Sequence, residues 1–145
     1  MIVLDASALI ELLLHTKVGE LVADRISDPE IRLHTPHLAD VEVAQALRRY
    51  VRSGDIEADI ALSALAAMRA LDLERHSHEH LIPRIWELRA NVTAYDAACV
   101  ALAETLEGTL LTCDGRLSRA PGVLASRVQL VEIPPEDPEA AAEPE

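Results

Sequence analysis

Aromatic residues are almost missing from this sequence, which has no phenylalanine and only Trp86, Tyr50 and Tyr95. Because 50% of the residues are hydrophobic, a full core is still available, built from Ala, Leu, Val and Ile. The two cysteines, Cys99 and Cys113, are too few for a disulfide framework or a cysteine-based zinc site. We interpret both as small core residues. A chain of 145 residues is typical of one domain and folds without a metal or a disulfide.

The sequence also lacks a long uninterrupted hydrophobic run. The N-terminal segment MIVLDASALIELLL is apolar, but Asp5 and Glu11 interrupt it, and neither a basic region nor a cleavage site surrounds it. This pattern excludes a signal peptide and a membrane span. We therefore expect a soluble, cytoplasmic protein without a membrane partner.

Positive charge is scarce as well, with a single lysine, twelve arginines and a net charge of −12. The segment 134–145 holds five acids and no base, which leaves −7 for residues 1–133. We expect residues 1–133 to form the domain and residues 134–145 to be a disordered, acidic, proline-rich tail. An acidic chain has no general attraction for nucleic acid, so a polyanionic substrate would require local arginines and bound cations.

Short apolar runs alternate with helical patterns along the chain. The predicted strands are Met1–Leu4, Ile31–His34, Leu71–Arg75, Thr109–Thr112 and Val128–Ile133. The predicted helices run over about 7–22, 36–52, 55–70, 83–90 and 93–108, with Pro36 in a first turn, Asp55 as a cap, Pro83 at a helix start or bend, and Gly54 and Gly108 at helix ends. This alternation predicts a single α/β domain whose central parallel sheet of about five short strands is flanked by helices.

Acidic residues follow the predicted strands or begin the helices next to them. These residues are Asp5, Asp40, Glu42, Asp96 and Asp114. In such a sheet, ligands bind outside the carboxyl ends of the strands. Carboxylates that lie close together repel one another, and a bound divalent cation neutralises this repulsion. Oxygen ligands suit Mg²⁺ or Mn²⁺, either of which can promote hydrolysis of a phosphodiester.

Each acid also has a purely structural interpretation. Asp5 is suited to cap the first helix, a role for which Ser7 competes. Asp96 stands three residues after Thr93, which is the spacing of a capping box. Asp114 precedes a glycine, which is a common turn signal. Taken singly, these residues do not establish a metal site.

Four stretches of the chain resemble the PIN-domain ribonucleases, and within them the VapC-type toxins of bacterial toxin–antitoxin pairs. In order they are MIVLDASALIELLL, TPHLADVEVAQALRRY, NVTAYDAACVALAETL and LLTCDGRL. They span nearly the whole chain up to Val128. The resemblance implies a PIN-like fold and a divalent-metal-dependent endoribonuclease that serves as the toxin of a type II module.

The resemblance also implies the site residues. It assigns Asp5, Glu42, Asp96 and Asp114 to a catalytic metal site that holds Mg²⁺ or Mn²⁺. Helical periodicity alone favours Asp40 over Glu42, because Asp40 falls within the apolar arc centred on Val43 and Glu42 lies just outside it. The resemblance selects Glu42 and makes Asp40 a charge at a helix N-terminus.

Three further polar residues match positions beside the family's carboxylates. Ser7 and Thr112 correspond to hydroxyls that orient the acids. Gln45 stands where the family usually has asparagine, and its longer amide shifts a hydrogen bond near the site. The resemblance therefore places these three side chains around the metal ligands.

Arginines close to the acidic motifs are candidate contacts for RNA phosphates. Arg116 and Arg119 follow Asp114 directly and are the better candidates. Arg48 and Arg49 lie near the end of the acidic helix, where they fit RNA or antitoxin contact and a favourable charge at the helix C-terminus equally well.

The resemblance implies three partners: a single-stranded or loop RNA substrate, a VapB-type antitoxin that blocks the acidic pocket with a basic side chain, and a second copy in a homodimer. Two alternatives stay open, a PIN-domain RNA-processing nuclease without a toxin role and a non-catalytic RNA- or protein-binding module. A phosphoryl-accepting signalling domain is disfavoured, because Asp5 is unpaired and Lys17 lies in a helix. A phosphatase is disfavoured because Ser7 breaks its D-x-D pattern.

The histidines suggest no metal site from their spacing. His76, His78 and His80 alternate, and three histidines can bind zinc or nickel. They would not share one face of a helix, and in a strand they would only partly do so. We therefore expect surface or capping roles for them, and we find no usable spacing for His15, His34 and His37.

Overall fold

A five-stranded parallel sheet forms the centre of the molecule, in the order β3-β2-β1-β4-β5. The computed structural model describes residues 1–123 and 127–135, so most of the acidic segment 134–145 lies outside the described residues. The strands are β1 Ile2–Leu4, β2 Leu33–Pro36, β3 Leu73–His76, β4 Thr109–Thr112 and β5 Val128–Leu130. The α/β class and the five parallel strands predicted from the sequence are therefore confirmed.

Helices cover both faces of this sheet. Within the described residues they are α1 Ala6–Leu13, α2 Lys17–Arg25, α3 Leu38–Ser53, α4 Ala58–Ala70, α5 Ile82–Glu87, α6 Ala94–Thr105 and α7 Gly115–Ser118, with a 3₁₀ turn at Glu79–Leu81. None of the helices in the described ranges is long and apolar enough to cross a membrane.

The core is divided between two layers, one on each face of the sheet. Val3 and Leu4 are adjacent in β1 and are both fully buried, because neighbouring side chains of a strand point to opposite faces. Leu4 packs with α1, α3 and α4, whereas Val3 packs with α5 and α6. Helix α6 is buried along 97–103. Such continuously apolar strands are typical of a parallel sheet covered on both sides.

The prediction of a single helix over about 7–22 is wrong, because the chain forms two helices there. Helix α1 ends at Leu13, and His15 then adopts a left-handed conformation with φ 53°. The Thr16 side chain accepts a hydrogen bond from the backbone N–H of Gly19 at 3.0 Å and so caps α2. This local cap outweighs the apolar periodicity that runs through both segments.

Gly19 lets α2 approach α1 very closely, and this gives the first testable prediction. A Cβ at this position would lie 2.0 Å from the backbone oxygen of Glu11. Gly→Ala inside a helix ordinarily stabilises it by about 1 kcal/mol. Here we expect Gly19→Ala to lower the free energy of unfolding by roughly 2 kcal/mol, because two helix backbones must separate. Urea unfolding measures the change.

A control on the same helix separates backbone contact from helix propensity. Glu20→Ala changes an exposed neighbour and is expected to leave the free energy of unfolding nearly unchanged. Equal or greater stability of Gly19→Ala would show that α1 and α2 are not in close contact.

Two other local predictions are wrong. Pro36 ends strand β2, two residues later than the predicted strand end, and does not lie in the first turn of α3. Asp55 does not cap α4; the cap position is Glu57, without a side-chain hydrogen bond, and Asp55 accepts instead from the Ser53 hydroxyl at 2.5 Å. In both cases strand pairing or a neighbouring hydroxyl displaced the helix signal.

Several end signals are confirmed. Gly54 has φ 81° and ends α3 in a left-handed conformation, as its position in the sequence predicted. Pro83 lies in the first turn of α5, and Thr93 caps α6. The turn predicted at Asp114 proves to be the start of the short helix α7, with the Asp114 side chain as its cap. These ends position the segments that carry the acids.

Candidate metal centre

The four acids implied by the family resemblance lie around one edge of the sheet. Strands β1 and β4 are neighbours, with Leu4 paired to Leu111, so Asp5 and Asp114 leave the sheet at the same edge. Glu42 comes from the start of α3, which follows β2, and Asp96 from the first turn of α6. In a parallel sheet this edge is where ligand sites form.

Asp5 is held by hydrogen bonds to both carboxylate oxygens. Its Oδ1 accepts from the Ser7 hydroxyl at 2.6 Å and from the Ala8 backbone N–H at 2.8 Å. Its Oδ2 accepts from the Thr112 hydroxyl at 2.5 Å. The side chain is only 5% exposed. Asp5 therefore caps α1 and is fixed in orientation by the two hydroxyls that the resemblance placed beside it.

The same hydroxyls connect β1 to the segment after β4. The Ser7 oxygen accepts from the backbone N–H of Cys113 at 2.9 Å, and the Thr112 oxygen accepts from that of Asp114 at 3.0 Å. These bonds fix Asp114 relative to Asp5 through the backbone. The network links residues more than a hundred positions apart in the sequence.

Three of the acids have a raised pKa, mainly through burial and further through the charges of neighbouring acids. Burial raises the pKa of Asp5, against the hydrogen bonds from Ser7, Thr112 and Ala8, and the charge of Asp96 raises it further. The pKa of Glu42 rises to about 7, through burial and then the charges of Asp96 and Asp5. Burial also raises the pKa of Asp96, despite its bond to Thr93. The site therefore concentrates negative charge in a partly desolvated space.

The pKa of Asp114, unlike that of the other three acids, is lowered. Burial alone would raise the pKa of its carboxyl, but hydrogen bonds from Arg116 outweigh this effect and lower it. The Arg116 backbone N–H donates to Oδ1 at 2.8 Å, and its Nη2 donates to Oδ2 at 3.2 Å. Asp114 in turn raises the pKa of Asp96. It is thus coupled to the other acids while its own charge is partly compensated.

The donor set fits a hard divalent cation. All four side chains offer carboxylate oxygens, the ligands that Mg²⁺ and Mn²⁺ prefer. A central positive charge would offset the burial and the neighbouring negative charges that raise the pKa of Asp5, Glu42 and Asp96. In the described residues, no three of these acids bring ligand oxygens within 4.8 Å of one another.

Two cavities open beside the acids. The larger, of about 600 Å³, is lined by Glu42, Gln45, Arg49 and Tyr95, among others. The smaller, of about 190 Å³, is lined by Thr93, Asp96, Asp114 and Arg116, among others. An extended ligand can therefore approach the acids from both sides.

Asp40 lies outside this group. Its carboxylate forms an ion pair with Arg75 on β3, with 2.8 Å between Oδ2 and Nε. It lines a different cavity and has no described bond to the acids of the site. The structure thus places Glu42, and not the Asp40 that helical periodicity favoured, beside the other acids.

The predicted arginine contacts are placed unequally. Arg49 lines the larger cavity and Arg116 the smaller one. Arg48 is exposed and lines neither of these two cavities. Arg119 is exposed and packs its guanidinium over Gly115 at the start of α7. Of the four predicted arginines, Arg49 and Arg116 are therefore the two that line the cavities beside the acids.

The thiols contribute no chemistry here. Cys99 is buried in the core, and burial raises the pKa of its thiol. Cys113 is partly buried beside the site, and burial with the charges of Asp5 and Glu11 raises its pKa to about 12. Both remain protonated near neutral pH, in agreement with their interpretation as packing residues.

One cluster was missed at the sequence level. His34, Glu74 and His76 bring one ligand atom each within 4.8 Å of the others. Spacing along the sequence gave no indication of this cluster for His34, because the pairing of β2 with β3 brings His34 beside His76, 42 positions away. Only the alternation of Glu74 and His76 along one strand could have indicated a shared face.

The raised pKa of Glu42 gives a stability prediction. In the folded chain this carboxyl binds its proton up to about pH 7, whereas its ordinary pKa is 4.5. Folding is therefore favoured by that proton at low pH, and stability falls as the pH rises from 4.5 to about 7. Glu42→Gln removes this penalty. At about pH 8 without divalent metal, we expect the variant to be more stable by about 1 kcal/mol, allowing for solvent screening.

Thermal unfolding with a chelator present tests this prediction. The expected gain corresponds to roughly 2–5 °C in Tm at about pH 8 and should disappear near pH 4. Asp40→Asn is the matched control, and we expect no such gain there because Arg75 compensates its charge. A Glu42→Gln variant that is less stable than the natural chain at about pH 8 would contradict the electrostatic interpretation.

Known proteins match this chain over most of its length. The PIN domain family profile matches residues 2–123. The VapC ribonuclease Mb0985 of Mycobacterium bovis is 44% identical over 119 residues, covering 81% of this chain and 89% of the relative. Ribonuclease VapC1 of Mycobacterium tuberculosis is 42% identical over 130 residues, covering 89% and 96%.

Solved structures show the same fold at lower identity. Mycobacterium tuberculosis VapC20, described as a sarcin-ricin loop cleaving toxin, aligns with a TM-score of 0.63 and 16% identity over 88% of this chain and 99% of that one. PAE2754 from Pyrobaculum aerophilum aligns with a TM-score of 0.61 and 24% identity, over 80% and 76%. These two likenesses concern the fold alone.

Proposed function

The chain belongs to the PIN-domain family, and on this premise we propose that it is a VapC-type endoribonuclease, the toxin of a type II toxin–antitoxin pair. The profile match and relatives at 42–44% identity, aligned over most of both chains, support this assignment. The observation that carries the chemistry is the placement of Asp5, Glu42, Asp96 and Asp114 around the carboxyl edge of the sheet, where burial and neighbouring carboxylates raise the pKa of the first three.

Asp5, Asp96 and Asp114, with Glu42, would hold a divalent ion, for which we propose Mg²⁺ or Mn²⁺. When bound, the ion supplies Lewis-acid polarisation of a phosphoryl oxygen and a water of lowered pKa. Ser7 and Thr112 keep Asp5 in one orientation through hydrogen bonds of 2.6 and 2.5 Å. A ligand held in this way loses little side-chain freedom on binding.

Glu42 has a second suitable role. Its carboxylate oxygens can accept a proton from water, and when no ion is bound, partial burial and the neighbouring acids raise its pKa above that of an ordinary glutamate. Its side chain lines the larger cavity, where an attacking water has access to its oxygens. We therefore assign Glu42 the role of accepting the proton of the attacking water, next to the ligands Asp5 and Asp96.

The substrate is proposed to be unpaired RNA that lies along both cavities. Arg49 in the larger cavity and Arg116 in the smaller one would contact phosphates. Arg119 and Arg48, exposed further out, would contribute less. Tyr95 is 62% exposed at the larger cavity and offers a face on which an unpaired base can stack.

The partners follow from the same site. A VapB-type antitoxin would insert a basic side chain among the carboxylates and cover the larger cavity, whose rim includes Val41, 71% exposed. We further propose that the toxin acts in the cytoplasm as a homodimer, as the family resemblance implies. The antitoxin distinguishes this proposal from an RNA-processing nuclease of the same fold.

Metal-dependent cleavage by the purified chain tests the proposal. Total RNA and synthetic single-stranded transcripts are incubated with the chain in Mg²⁺, in Mn²⁺ or in EDTA. We expect endonucleolytic products with either metal and none in EDTA, and we expect full recovery when metal is restored. Undiminished cleavage in EDTA would contradict the metal site. Absence of cleavage of every RNA in both metals would contradict the nuclease assignment.

A further inference from the structure

Two histidines and a glutamate meet on neighbouring strands at one side of the sheet. His34 lies in β2 and is paired in register with Glu74 of the edge strand β3, while His76 is paired with Pro36. Glu74 and His76 are two residues apart in β3 and so point to the same face. The acids of the candidate metal centre belong to other segments, so this trio is separate from them.

The distances within the trio match a transition-metal site. His34 Nδ1 lies 3.0 Å from His76 Nε2 and 3.6 Å from a Glu74 carboxylate oxygen, and His76 Nε2 lies 3.7 Å from the other oxygen. Zinc binds histidine nitrogen and carboxylate oxygen at about 2.0–2.2 Å, which separates tetrahedral ligands by about 3.4 Å. The three donor atoms are therefore spaced closely enough to share one ion without backbone movement.

We propose that His34, Glu74 and His76 form a binding site for a borderline divalent metal of the zinc class. Two imidazoles and one carboxylate form a donor set that zinc accepts and that Mg²⁺ does not favour. The Glu74 side chain is 62% exposed and that of His76 is 19% exposed, so an ion and a fourth ligand from solvent can reach the site. The proposal does not depend on the proposed ribonuclease activity.

The surroundings of His34 determine how tightly a metal ion would bind and how it would affect the stability of the folded chain. A metal on Nδ1 leaves the ring proton on Nε2, and this buried atom has no hydrogen-bond partner among the described residues. The site is therefore weaker than one whose histidines are supported by outer hydrogen bonds. An ion bound there would join β3, at the edge of the sheet, to β2 and so stabilise the folded chain.

Zinc titration of the full chain tests the proposal. The chelator-treated protein is titrated calorimetrically with Zn²⁺ while excess Mg²⁺ occupies the acidic site. We expect one Zn²⁺ per chain and an increase in Tm. His76→Gln should weaken binding at least about tenfold, and Glu74→Gln, at an exposed position, provides a second variant that does not disturb the core.

His78→Gln is the matched control, because this exposed histidine lies two residues beyond His76. It is expected to leave the affinity for Zn²⁺ and the increase in Tm unchanged. Asp5→Asn should likewise leave both unchanged, so failure of the ribonuclease proposal can be recognised separately. The proposal would be overturned if the natural chain did not bind Zn²⁺, or if His76→Gln and Glu74→Gln bound it as tightly as the natural chain does. It would also be overturned if His78→Gln lost as much affinity as His76→Gln. The three residues would then form a hydrogen-bonded cluster only.

Discussion

Asp5→Asn is expected to abolish RNA cleavage and to leave the fold intact. Asparagine is a good N-cap, so its side-chain oxygen can still accept the 2.8 Å bond from the Ala8 backbone N–H. The variant loses the negative charge and one of the two oxygens that would bind the ion. Loss of several kcal/mol of charge stabilisation corresponds to a decrease of at least roughly 10³-fold in the rate.

The rate of Mn²⁺-dependent cleavage measures this effect under single-turnover conditions. Circular dichroism and thermal unfolding show whether the variant is folded. We expect both to remain close to those of the natural chain, because the buried carboxyl has a raised pKa and its neutral replacement is well tolerated. Undiminished cleavage by folded Asp5→Asn would rule out Asp5 as a ligand.

Glu42→Gln is expected to lower the activity strongly and Asp40→Asn to leave it almost unchanged, although the two acids are only two residues apart. Glu42 lines the larger cavity and is affected by the charges of Asp5 and Asp96, so its loss should lower the cleavage rate by roughly 10²–10³-fold. Asp40 is paired with Arg75. Its replacement should change the rate by less than about threefold, since a partly exposed ion pair contributes little.

The pH–rate profile adds a second criterion. Activity of the natural chain should decrease at low pH as Glu42 and the other acids become protonated, and this decrease should be altered in Glu42→Gln. Loss of cleavage in Asp40→Asn with normal rates in Glu42→Gln would reverse the assignment. Helical periodicity would then have identified the right acid and the family resemblance the wrong one.

The fold could be predicted from the sequence where one local signal dominated. The run Thr109–Thr112, which lies between Gly108 and the segment Cys113-Asp114, is a strand with the predicted bounds. Gly54 ends α3 because few residues other than glycine adopt its left-handed conformation readily. Asp5 and Asp114 could be placed at one edge because parallel strands end on the same side of a sheet.

Other features depend on competition or on distant pairing. The break between α1 and α2 results from the cap at Thr16, which competes with an apolar pattern that continues through it. The choice between Asp40 and Glu42 depends on Arg75, a residue of another strand. The meeting of His34 with Glu74 depends on the register between β2 and β3, which neither segment determines alone.

The central claim is that Asp5, Asp96 and Asp114, with Glu42, together bind the ion on which RNA hydrolysis depends. Anomalous X-ray diffraction from crystals containing Mn²⁺ tests it most directly. We predict an anomalous peak at about 2.0–2.3 Å from carboxylate oxygens of Asp5 and Asp96. Binding of Mn²⁺ only elsewhere, for example at His34, in a protein that still cleaved RNA in Mn²⁺ would contradict this assignment.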